Sequence, residues 1–175
     1  RNYSQYSLSK GAIKINELIQ LCVENKIPAI SITDFYNLFG CMEFSIECIK
    51  KGIKPIIGSN IFLKDESFAS GFLLLLCKNE RGFQNLSKLI SVSSLKNSAN
   101  SDVFVTVNNL KKFNEGLICL AGGQFGILSE NFRQNNIEVS DKLINLFREI
   151  YKNDFFLEIQ RIAKKQINFN NFLIS

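Results

Sequence analysis

The chain has 175 residues, 46% of them hydrophobic and 21% charged, and a formal net charge of +5. This is the composition of a globular domain with enough apolar material for a core, not of a disordered chain. It excludes histidine chemistry, because there are no histidines, and histidine is the commonest general base and a common metal ligand.

The elements follow in chain order. Ile15, Leu18, Ile19 and Cys22 recur at helical spacing and predict a helix over about 14–25. After Pro28, Ala29–Thr33 predicts a short buried strand. Leu38, Met42, Ser45-Ile46 and Ile49 mark a second helix, with Gly52 as its C′ residue. Lys54–Leu63 is expected as a strand with Gly58 inside it, and Phe72–Cys77 as an almost wholly apolar strand. Asn79 is placed to cap a helix whose inner face is Phe83, Leu86, Leu89 and Ile90.

The polar Ser/Asn-rich stretch 91–102 reads as a loop. A short apolar segment, Val103–Val107, and a short helix over Asn108–Asn114 come next. Gly116–Ala121 is expected as a strand, Gly122-Gly123 as a tight turn, and Phe125–Gln134 as a helix. Ser140 is placed to cap a helix over Lys142–Tyr151, and Asp154–Gln160 is expected as a strand. The tail to Ser175 is ambiguous. Strands and helices alternate, and nearly continuous apolar strands indicate a mainly parallel sheet covered by helices. The expected fold is α/β, doubly wound or barrel-like. Neither a GxGxxG nor a Walker loop supports nucleotide binding.

No uncharged apolar run approaches the roughly 18 residues that span a bilayer, and no charged-then-apolar start suggests a secretory signal. The five cysteines, Cys22, Cys41, Cys48, Cys77 and Cys119, lack a C-x-x-C pair. They are expected to be reduced, mostly buried thiols of a cytoplasmic protein, not zinc ligands. The basic residues form pairs (Lys50-Lys51, Lys111-Lys112, Lys164-Lys165) and no tract, so a free-standing nucleic-acid binder has little support.

Four segments carry a resemblance. They are YSLSKGAIKI (Tyr6–Ile15); PAISITD (Pro28–Asp34) with NLFG (Asn37–Gly40) and Glu43-Phe44; GIKPIIG (Gly52–Gly58); and LLCKNERGFQNL (Leu75–Leu86) with Lys88-Leu89. Weaker echoes follow in Gly116–Ile118 and Phe156–Gln160. In this order and spacing the chain resembles the PHP (polymerase and histidinol phosphatase) domain of the alpha subunit of bacterial DNA polymerase III, over about residues 3–162.

The resemblance implies a distorted seven-stranded β/α barrel. Residues 1–175 would be its N-terminal portion, and the polymerase palm, fingers and thumb lie outside this chain. It implies a parent that synthesises DNA on a DNA template. Its partners would be the rest of the alpha subunit, the separate proofreading exonuclease, and DNA through the parent, with no membrane.

Active PHP members carry a metal cluster at the C-terminal ends of the strands, where loops from several strands converge. Their His-any-His pair matches Arg1 and Tyr3 here. The aspartate before the first motif's glycine matches Lys10. Thr-Asp-His-Gly becomes Thr33-Asp34-Phe35-Tyr36, and a glutamate matches Asn60. A later cysteine matches Gly123, and a later histidine Ile162. Cationic side chains have no lone pair for a metal at neutral pH. The resemblance therefore implies a degenerate site with no metal, no cofactor and no catalytic residue. In it Tyr3 and Phe35 fill space, and Arg1 and Lys10 substitute the lost charge beside Asp34. The domain would serve structure and docking. The alternative is an active metal-dependent PHP phosphoesterase or 3′–5′ exonuclease.

Overall fold

The computed structural model describes residues 1–96, 103–160 and 167–174. The chain divides into two compact units, Arg1–Asn60 and Ile61–Ser175, each with its own core.

In the first unit an irregular strap, residues 1–13, precedes helix α1 (Ile15–Glu24). Its buried face is Ile15, Leu18, Ile19 and Cys22, as the spacing predicts. Strand β1 (Ala29–Phe35), helix α2 (Cys41–Lys50) and the start of strand β2 (Lys54–Asp65) make a β-α-β unit. The strands pair in parallel, from Ala29 opposite Lys54 to Phe35 opposite Asn60. A parallel pair needs a crossover, and α2 supplies it. Gly52 takes φ +71° just past α2, in the left-handed region expected of a C′ glycine.

The residues that mark α2 in the sequence are not the ones that it buries. Cys41, Phe44 and Cys48 are buried, whereas Met42 is 73% and Ile49 68% exposed and Ile46 also faces water. Both faces of this helix carry apolar side chains, so hydrophobic spacing alone does not decide which turns inward. The bulk of Phe44 does: it packs with Ile15, Ile19, Ile32 and Ile53 in the core of this unit.

The second unit starts within β2 and turns at Glu66-Ser67 into β3 (Phe68–Cys77). Asp65 holds that turn, its carboxylate accepting from the Ser67 N–H at 3.1 Å and the Ser67 hydroxyl at 2.7 Å. β3 therefore begins four residues before the expected Phe72. It runs antiparallel to β4 (Leu117–Gly122), which is parallel to β5 (Phe155–Glu158). The β-structure is thus mixed but mostly parallel, as expected of this α/β class.

Helix α3 (Glu80–Lys96) is capped as predicted, with the Gly82 N–H donating to Asn79 Oδ1 at 3.0 Å. It continues past Ser91 into the expected loop, of which residues 97–102 lie outside the described residues. Leu86 and Leu89 are buried, but Phe83 is exposed. Asn85 turns inward instead and donates to the Glu115 carbonyl at 2.8 Å. Thr106 and Asn109 cap the short helix α4 (Val107–Lys112) reciprocally.

Helix α5 (Ile127–Arg133) follows the Gly122-Gly123 turn. Helix α6 (Ile137–Tyr151) starts ahead of Ser140, the expected cap. Asn136 stands at the N-cap, while Ser140 is fully buried inside the helix and donates its hydroxyl to the Asn136 carbonyl at 3.2 Å. A serine satisfied four residues back along its own helix has no need of a terminus. A 3₁₀ turn (Lys152–Asp154) leads into β5, and the ambiguous tail forms helix α7 (Ile167–Ile174).

All five cysteines are free thiols; Cys22, Cys41, Cys48 and Cys119 are buried and Cys77 is half-buried. Among the described residues no helix is long and apolar enough to cross a membrane.

Candidate functional site

The C-terminal end of β1 is where the first unit gathers its polar side chains. The strap runs alongside it. Thr33 donates its N–H to the Asn2 carbonyl at 2.9 Å, and Asn2 Nδ2 reaches the Ser31 carbonyl at 3.0 Å. Gly11 lets the strap fold back on itself, since a Cβ there would lie 2.1 Å from the Ser4 carbonyl oxygen.

Five of the residues that the sequence singles out meet at this strand end. The register sets Phe35 opposite Asn60. The Tyr3 and Phe35 rings pack with centroids 4.8 Å apart, and Lys10 Nζ stands 4.0 Å from the Phe35 centroid. The Arg1 guanidinium donates to Asn60 Oδ1 at 2.9 Å. Asn60 is fully buried and uses both ends of its amide, since its Nδ2 donates to the Thr33 carbonyl at 2.6 Å. Tyr3 and Phe35 are half-buried, so the rings cover the strand end without being sealed in.

Asp34 is buried beneath them. One carboxylate oxygen accepts from the Ser4 N–H at 2.7 Å and the Ser7 hydroxyl at 2.5 Å; the other accepts from the Ser4 hydroxyl at 2.7 Å. The hydrogen bonds that reach Asp34 thus come from serines, while Arg1 reaches Asn60 and Lys10 reaches Phe35. Sequence reasoning did not identify Ser4 and Ser7 as site residues. The strap has no periodicity, so nothing in its spacing reveals which hydroxyls turn inward.

Gly123 belongs to the second unit, in the turn after β4. It takes φ +70°, and a Cβ there would meet the Gln160 side chain at 3.0 Å. Ile162 lies outside the described residues.

The PHP domain family matches residues 1–162. The chain belongs to the PHP domain family. Among curated relatives of this PHP chain, DNA polymerase III subunit alpha of Borreliella burgdorferi is 38% identical over 169 residues, covering 91% of this chain and 15% of that polypeptide. The subunits of the same name from Rickettsia bellii and Chlamydia pneumoniae are 31% and 33% identical, over 99% and 90% of this chain. The PHP chain spans only 13–15% of the length of these relatives. Among solved structures, an amidohydrolase from Chromobacterium violaceum superposes with a TM-score of 0.50 at 10% identity, over 89% of this chain and 83% of that one, a likeness of fold.

The donor set at the β1 end does not suit the cation that active PHP members hold. Divalent ions take carboxylates, imidazoles or thiolates. Here the groups are a guanidinium, an ammonium, two aromatic rings, an amide whose oxygen already accepts from Arg1, and a single carboxylate, Asp34, whose oxygens already accept from Ser4 and Ser7. Among the described residues no three His, Cys, Asp or Glu side chains stand close enough to share a metal.

Proposed function

We propose that this chain is the PHP portion of a bacterial DNA polymerase III alpha subunit in which the strand-end site binds no metal and hydrolyses nothing. The parent would be a DNA-directed DNA polymerase of the cytoplasm. The domain would serve as a structural and docking module for the rest of that subunit and for the proofreading exonuclease. The observation that carries this reading is Arg1 bonded to Asn60 Oδ1 where a carboxylate ligand would stand in an active member. A guanidinium fixed at that point repels a second cation and occupies the one neutral oxygen that could have served it.

The test is elemental analysis with a nuclease assay on the purified chain. The expected result is no stoichiometric zinc, manganese or magnesium, and no phosphoester hydrolysis above background, since nothing at the site could activate a water. About one tightly held ion per chain would overturn the metal-free reading, because structural ions bind strongly enough to survive purification.

A further inference from the structure

Asp34 is 2% exposed, and among charged side chains that degree of burial requires compensation. Its compensation comes from one short piece of chain. Ser4 supplies a backbone N–H and a hydroxyl, and Ser7 a second hydroxyl. Both serines are buried. An ionised carboxylate has about four lone-pair sites, and the strap fills three of them. The Ser7 hydroxyl also accepts from the Phe35 N–H at 3.2 Å, and Ser59 Oγ donates to the Asp34 carbonyl at 2.8 Å. Residue 34 therefore links the strap, β1 and β2.

The strap has little regular structure of its own. It contains no helix or strand beyond the single bridge of Ser4 with Ile13, and its inner hydrogen bonds form turns, with Lys10 and Gly11 N–H donating to the Ser7 carbonyl. Leu8 at its tip is 86% exposed, so the tip gains nothing from apolar burial. Tyr6 and Ile13 pack against the core of this unit, and between them the polar contacts of Ser4 and Ser7 hold the strap to β1.

We propose that Asp34 is a clasp: its buried carboxylate, gripped by Ser4 and Ser7, fastens the strap over the end of β1 and thereby positions Arg1, Tyr3 and Lys10. This rests on the metal-free reading, because it gives Asp34 the cross-linking role that a shared cation would otherwise perform. Asp34 is a positioning residue here, acting through the two serines.

Hydrogen exchange on the full 175-residue chain tests it, comparing wild type with Asp34→Ala, Asp34→Asn and Ser7→Ala. In Asp34→Ala the amides of Ser4, Ser7, Lys10 and Gly11 should exchange at least about tenfold faster, as local opening becomes easier. Amides of β4 and α6 should keep their protection, showing that the second unit stays folded. Asp34→Asn should fall between, because its amide keeps one acceptor and a serine hydroxyl can accept from its nitrogen. Strap exchange in Asp34→Ala at the wild-type rate would overturn the clasp. If Asp34→Ala does not fold, Ser7→Ala decides, and unchanged exchange there would also overturn it. Adding EDTA to wild type separates the two readings. Loss of strap protection on chelation would show that a bound ion holds the strap, and would overturn both. A clasp that fails with chelation inert leaves the metal-free reading standing.

Discussion

Arg1 and Asn60, 59 positions apart, are joined by a 2.9 Å hydrogen bond from guanidinium to amide oxygen, while the same amide donates to Thr33. Asn60 therefore serves as donor and acceptor at once. Asn60→Ala should cost about 1–3 kcal/mol, the usual price of leaving buried polar partners unsatisfied. Asn60→Asp should also destabilise, because it sets an acceptor against the Thr33 carbonyl even as it gains the Arg1 charge. Urea unfolding of both variants measures this; an Asp variant as stable as wild type would show that the Arg1 ion pair fully offsets the lost Thr33 contact, against the expected loss.

Phe35 lies between Tyr3 and Lys10 and is only half-buried. Phe35→Ala should cost about 1–2.5 kcal/mol, from part of a ring's burial plus its aromatic pairs with Tyr3 and Tyr36, less than the roughly 3–5 kcal/mol of a sealed core ring. Phe35→His should show no zinc-dependent rise in stability, since one imidazole does not make a site. A zinc-dependent shift in the unfolding midpoint would reveal further ligands.

Gly11→Ala should be more damaging than its size suggests. The new Cβ would sit 2.1 Å from the Ser4 carbonyl oxygen and 2.7 Å from that of Tyr3, both backbone atoms. The strap would have to open, at a cost of about 1–3 kcal/mol. Thermal unfolding and proteolysis between Gln5 and Lys10 would both report it.

Burial pushes the Cys48 thiol up from its ordinary 9.0 to about 11, with help from nearby Cys22, and burial pushes Cys77 to about 12. Tyr151, buried in α6, is raised above 10.0 for the same reason. The fold favours the protonated form of each. Their contribution to stability is complete below about pH 9 and falls as pH rises toward 11–12, because the unfolded chain ionises first. Stability followed from pH 7 to 11 should drop beyond pH 9, and a thiol reagent at pH 8 should label the buried Cys48 only after denaturant is added. Rapid labelling of Cys48 in the native protein would contradict its burial.

Met42→Glu and Ile49→Lys should change the stability of the isolated chain by no more than about 0.5 kcal/mol, as exposed substitutions do. These residues also mark where sequence reasoning fell short. Helix α1 was legible because its apolar residues fall on one stripe. Helix α2 was legible as a helix, but its buried face was not, because Cys41, Phe44 and Cys48 compete with Met42, Ile46 and Ile49. Ser140 looked like a cap because serine suits a terminus, but it suits a back-bonded interior position too. The meeting of Phe35 and Asn60 was legible, since parallel strands of known order align their ends. The partners of Asp34 were not, because an irregular strap carries no period from which to tell Ser4 and Ser7 from the exposed Ser9 between the same turns.

The two-sided use of the Asn60 amide bears on how this sequence can change over time. An acid at position 60 would confront the Thr33 carbonyl, and it would draw Arg1 into an ion pair that itself excludes a cation. A metal ligand placed there would give no benefit until Arg1 had also been replaced, and replacing Arg1 first would leave the Asn60 oxygen without its donor. Each single step is opposed by the residue not yet altered. On the metal-free reading proposed above, the pair would act as a ratchet: Arg1 and Asn60 would protect one another, and a charged ligand would require simultaneous changes that stepwise mutation rarely supplies.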